Sequence, residues 1–126
     1  MRAVRALIGL LDVVLALGVA APSLYALGWA INGGGLAMLL PLASLAACVV
    51  TGFAGMRLLH AALQARLQAG TVLPLHAASA VGWLVCALDD APAALVLWVP
   101  LLGVFVGAGW LAERGAHRTE AGTPTA

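Results

Sequence analysis

The sequence predicts an all-α integral membrane protein, an antiparallel bundle of four transmembrane helices. Three observations carry that prediction. The chain of 126 residues is 63% hydrophobic and only 9% charged, with a mean hydropathy of +1.07. A soluble domain has about 25% charged residues, so so few charges cannot cover a water-facing surface. Four apolar runs of 18 or more residues follow one another, each long enough at about 1.5 Å per residue to cross about 30 Å of hydrocarbon. Period-2 alternation is missing from all four, which argues against a membrane barrel.

The first run extends from about residue 6 to 31, and the second from 36 to 63. Between them, Asn32-Gly33-Gly34-Gly35 supplies a tight hairpin, since glycine tolerates positive φ. The third run covers 71–88, after the one polar stretch between runs two and three, Ala65 to Gly70. The fourth covers 93–112, and the Asp89-Asp90-Ala91-Pro92 turn precedes it. Acids beside a helix start and a proline in its first turn suit that position. Residues 1–112 therefore form the transmembrane domain, and 113–126 read as a polar, disordered tail.

Orientation follows from the arginines, which are the only cations besides histidine. Arg2 and Arg5 precede the first run, Arg57 and Arg66 flank the middle loop, and Arg114 and Arg118 follow the fourth run. Neither of the other two loops contains an arginine. The positive-inside rule puts both termini and the middle loop in the cytoplasm of a multi-pass protein of the cell or inner membrane. Tyr25 and Trp29 then fall near the outer interface and Trp110 near the inner one. Arg2, Arg5 and the run Leu7–Leu17 imitate a secretory signal peptide. Asp12 inside the run and Pro22 beside the would-be cleavage point argue for a retained helix instead.

Helical spacing divides each run into faces. The first places Gly9, Asp12, Ala16, Val19 and Ser23 inward, with Leu10, Val14, Leu17 and Leu24 opposite. The third places His76, Ser79, Trp83 and Cys86 on one stripe. The fourth aligns Val96, Pro100, Gly103, Gly107 and Trp110 inward, with Trp98, Leu101 and Phe105 toward lipid. Small residues allow helices to approach, and polar groups are costly in hydrocarbon. Gly103 and Gly107 form a GxxxG pair, which reads either as packing within one bundle or as a homodimer interface. The second run has small or polar residues on both sides, which favours a central position or contact with a second protomer.

Asp12 is the one acid deep in an apolar run, and Arg57 is its expected partner. Counted from the Asn32–Gly35 turn, Asp12 lies about 21 residues back and Arg57 about 23 forward, a depth difference of about 3 Å. The same counting around the middle loop sets His60 and His76 at similar depth. Asp12, Arg57, His60 and His76 thus form a candidate intramembrane cluster. It could be structural, with Arg57 snorkelling; it could relay protons or anions; or the histidines could ligate a haem or metal. Two histidines are thin support for that last reading, so neither metal nor cofactor is expected.

Cys48 and Cys86 lie in apolar runs and read as small hydrophobes. A net charge of +1 excludes the basic field that nucleic-acid binding needs. No Walker loop, dinucleotide fingerprint, nucleophile elbow or HExxH motif occurs, and the loops are too short to build a soluble active site. Thr51–Gly55 resembles a fragment of the small four-helix fluoride channels. The Thr-Thr-Phe-Ser run that should follow is Met56-Arg57-Leu58-Leu59, so no family is inferred. The expected partners are the lipid bilayer and a second copy or another membrane protein. The expected role is a non-enzymatic accessory or self-associating membrane component; the alternative is a small oligomeric transporter or channel using the Asp/Arg/His cluster.

Overall fold

The computed structural model describes the backbone of residues 1–64, 70–89 and 92–121, with side chains except at 87–89, 92–95 and 115–121. It is all-helical among these residues: α1 (Arg2–Ala30), α2 (Leu39–Gln64), α3 (Leu73–Asp89) and α4 (Pro92–Ala121). Three segments are long and apolar enough to cross a membrane: Arg2–Gly33, Gly35–Gln64 and Val96–Arg114, with mean hydropathies of 2.2, 2.1 and 1.7. The fourth helix, α3, is shorter at 17 residues, about 25 Å at about 1.5 Å per residue.

Between α1 and α2 the chain makes a 3₁₀ turn over Ile31–Gly33. Gly34 follows with φ +95°, which an L side chain would strain. The amide of Ala37 then donates to the Gly34 carbonyl. The turn thus consumes three residues more than the Asn-Gly-Gly-Gly signal suggests, and α2 starts at Leu39 rather than Leu36. The middle loop 65–69, with Arg66, and the Asp90-Ala91 step lie outside the described residues.

Adjacent helices run antiparallel. Gly9 meets Gly55 and Ser23 meets Ser44 across α1 and α2. Val72 packs near Leu58, and Gly82 against Ala47, across α2 and α3. His76 packs against Phe105 across α3 and α4. The middle helix α2 contacts both α1 and α3, the central placement its two small-residue faces predict. The α1/α2 crossing is close because neither Gly9 nor Gly55 carries a side chain. A Cβ on either would stand 2.7 Å from the other's carbonyl oxygen. The core lies in two clusters, Ile8, Leu58, Val72 and Ala112 toward the start of α1, and Ala47, Cys48 and Trp83 further along.

The inward faces of α1 and α3 are as the periodicity predicts: Asp12, Ala16, Ser23, His76, Ser79 and Trp83 are all buried. Helix α4 is turned the other way. Gly103 and Gly107 are exposed, Val96 is 75% exposed, and nothing lies within 4 Å of a Cβ built on either glycine. Phe105, Gly109 and Ala112 face the bundle instead. Both sides of α4 are apolar, so polarity gave no signal, and it is Phe105 together with Gly109 that packs against His76 of α3.

A second difference concerns the tail. The helix does not stop at Ala112 but continues to Ala121. Glu113 is buried at 3% exposure, and the Arg114 guanidinium stacks 3.9 Å from the Trp110 ring centroid. Glu113 is held by backbone amides of α3 and Arg114 by the indole ring one turn back on its own helix. Residues 122–126 lie outside the described residues.

Candidate functional site

Asp12 has a buried partner, and it is His76. Oδ2 of Asp12 and Nε2 of His76 stand 3.0 Å apart, and neither meets another hydrogen-bonding group among the described residues. The expected Asp12–Arg57 pair does not form. Depth counting fixes the level along a helix axis but not the direction around it. Gly55, not Arg57, is the α2 residue beside Asp12; a Cβ on Gly55 would lie 2.8 Å from that of Asp12. Two steps of about 100° carry Arg57 to the far side of α2. There it is exposed, with its guanidinium 5.7 Å from the Phe53 ring centroid. His60 is also exposed. The four-residue cluster therefore reduces to the pair Asp12 and His76.

The surroundings of His76 explain its fixed position. Its Nδ1 faces the Val72 carbonyl oxygen at 3.1 Å, one turn back on α3. The Phe105 ring lies 4.6 Å away, centroid to centroid. Gly109 lies flat against the imidazole, since a Cβ there would come within 2.7 Å of Cγ. With a carbonyl on one side and a carboxyl on the other, both ring nitrogens are satisfied only when the pair holds two protons. Nδ1–H donating to the Val72 carbonyl, with one proton shared between Nε2 and Oδ2, is the arrangement that would meet this condition, and it would leave the pair without net charge.

Two further polar links, which the sequence reading missed, close the same end of the bundle. Nε of Arg5, on α1, donates to the Ala112 carbonyl on α4 at 3.1 Å. Glu113, on α4, accepts through Oε1 from the backbone amides of Val72 and Leu73, the latter at 2.9 Å. Those are orphan donors at the start of α3, and a carboxylate there satisfies them. The links join α1 to α4, α4 to α3, and α3 back to α1. A signal for Arg5 existed: it lies seven residues before Asp12, two turns along the same stripe. Glu113 extends the stripe of Phe105 and Gly109, but that face had been assigned to lipid.

Beyond this polar end, α1 and α4 separate. A crevice of about 490 Å³ opens between them, walled by Ile8, Leu15 and Val19 of α1 and by Leu101 and Phe105 of α4. Asp12 is on its wall and Trp83 of α3 at its back. Trp83 is 6% exposed, and its indole N–H and the Ser79 hydroxyl have no hydrogen-bond partner among the described residues. No group of three or more His, Cys, Asp or Glu side chains gathers as a metal site among these residues. Cys48 is buried, and the Cys86 thiol donates to the Leu40 carbonyl across α3 and α2. His117, Asp89 and Asp90 have side chains outside the described residues. Comparison of the chain with protein-family models, characterised proteins and solved structures returned no match.

Proposed function

We propose that this chain is a non-enzymatic membrane component that crosses the bilayer four times, keeps both termini in the cytoplasm and works by self-association. The observation that carries the reading is the outer face of α4. Gly103 and Gly107 stand one turn apart with open space over both. In hydrocarbon, a small-xxx-small stripe is where helix backbones pack closely, and nothing among the described residues packs on it. The rest of the molecular surface suits lipid: Leu17 is 69% exposed, Val49 71% and Leu63 84%. Asp12, Thr51, His76, Ser79 and Glu113 are buried among the helices, where polar groups are sheltered from hydrocarbon, whereas Arg57 and His60 are exposed on α2.

The test is the molecular mass of the protein in detergent and energy transfer between labelled copies in liposomes. The native chain is expected to form a dimer or small oligomer. Gly103→Leu together with Gly107→Leu should convert it to monomers without lowering helix content. A native protein that is monomeric at all protein-to-lipid ratios would end this reading. A monomer that co-purifies with a different membrane protein would make it an accessory subunit instead.

Asp12, on the crevice wall and paired with the buried His76, favours a second reading, a small oligomeric transporter or channel. In this reading the pair exchanges protons during transport. Proton flux into proteoliposomes that disappears in Asp12→Asn is the expected sign. Equal flux in native protein, variant and empty liposomes would exclude it.

A further inference from the structure

In the α1/α4 crevice an apolar body and a buried carboxyl converge. Its volume of about 490 Å³ falls within the ~300–1,000 Å³ of small-molecule sites. From Ile8 to Val19 it runs eleven residues along α1, or about 16 Å. A partner helix ~10 Å across would need ~1,300 Å³ over that length, so the space is too narrow for a helix. It suits a single extended hydrocarbon chain.

The polar groups decide what that chain carries. Asp12 is the only carboxyl on the crevice wall among the described residues. A carboxylate offers about four lone-pair sites, and His76 uses one. The ligand group that meets Asp12 is therefore a hydrogen-bond donor. Its charge follows from the neutrality of the pair. A cation would enter a greasy crevice with no net negative charge to meet it, and burying an unpaired ion costs more than one hydrogen bond returns. A carboxylate would likewise bury an unpaired charge. Glu113, on α4, is bound to the α3 amides, and Arg5, on α1, to the Ala112 carbonyl. Arg57 and His60, on α2, are exposed on its outer side. An uncharged hydroxyl meets all these conditions.

Trp83 closes the back wall, with its indole N–H shut inside the bundle and without a hydrogen-bond partner among the described residues. We propose that the α1/α4 crevice binds an uncharged single-chain lipid bearing a hydroxyl, with its tail along the α1 and α4 walls and its O–H donated to Asp12. The site is formed within one chain and does not depend on self-association through Gly103 and Gly107.

The test uses the full chain in phosphatidylcholine nanodiscs with a diazirine-bearing hexadecanol. After irradiation, peptide mass spectrometry locates the cross-links. Labelling should concentrate on residues 8–19 and 98–108, and unlabelled 1-hexadecanol should compete at least tenfold better than hexadecane. Leu101→Trp, which fills the crevice but leaves Asp12 and His76 untouched, should reduce that labelling at least fivefold while retaining the native melting temperature. Should Leu101→Trp destabilise the fold, Leu15→Trp fills the same space from α1. Labelling spread evenly over lipid-facing positions such as Val49 and Leu63 would overturn the proposal. So would hexadecane competing as well as the alcohol, or hexadecyltrimethylammonium competing better.

Discussion

Asp12 and His76 are each buried and each supply the other's only side-chain partner among the described residues. Removing one member leaves the other with an unmet polar group in an apolar setting, a loss of about 3–5 kcal/mol for a buried pair. Asp12→Asn and His76→Gln should each lower the melting temperature in detergent, and the double variant should lose less than the sum of the two. A coupling of about 0.5–3 kcal/mol is the expected size, and strict additivity would mean that the two side chains do not interact. Gly109 provides a steric counterpart. Gly109→Ala drives a methyl into the imidazole and should cost about 1–3 kcal/mol. Gly107→Ala, two residues away with nothing near its Cβ, should change monomer stability by about 0.5 kcal/mol or less. Burial of Asp12 and His76 was legible in the sequence because each lies on a stripe of small and polar residues repeating at helical spacing. Their pairing was not. Counting from a turn gives depth, and Arg57 has the right depth but the wrong azimuth.

Helices become legible to the degree that their faces differ. α1 and α3 each contrast a polar or small stripe with a row of large aliphatic side chains, so their inward faces could be read directly. α4 offers no such contrast. Its orientation is set by complementarity with α3, where Phe105 and Gly109 fit the shape of His76, and shape is invisible to hydropathy. The same blindness hid the continuation of α4 past Ala112, because a Glu after an apolar run reads as exit into water. Glu113 instead caps another helix. Replacing it with Ala should leave the Val72 and Leu73 amides without an acceptor at a buried position, at a cost of about 1–3 kcal/mol. Hydrogen exchange is the direct readout. Protection should fall at the first turn of α3 and hold in the middle of α2. Glu113→Gln keeps a carbonyl oxygen and should retain part of that protection. Unchanged exchange in Glu113→Ala would remove this carboxylate from the account of how α3 begins.

The whole molecule poses a question of parity. Three segments meet the length and hydropathy needed to cross a membrane, while α3 has 17 helical residues. A span of about 25 Å falls short of the typical ~30 Å core, a mismatch that bilayers accommodate by local thinning. His76 and Ser79 make α3 polar for its length, but both are fully buried among the other helices, so lipid does not meet that polarity. The proposed crossing of α3 has a sharp consequence. With four spans the two termini lie on the same side of the membrane; with three they lie on opposite sides. In a background in which Cys48 and Cys86 are replaced by Ala, single cysteines at Ala3, Gly34 and Thr123 can be labelled with an impermeant maleimide on intact cells and after lysis. Four spans in the proposed orientation predict that only Gly34→Cys reacts from outside. Labelling of Ala3→Cys and Thr123→Cys on opposite sides would mean that α3 does not cross. That result would also put Asp12 and His76 out of register with the bilayer, because α3 could not then lie upright between α2 and α4 and hold its imidazole against the first helix.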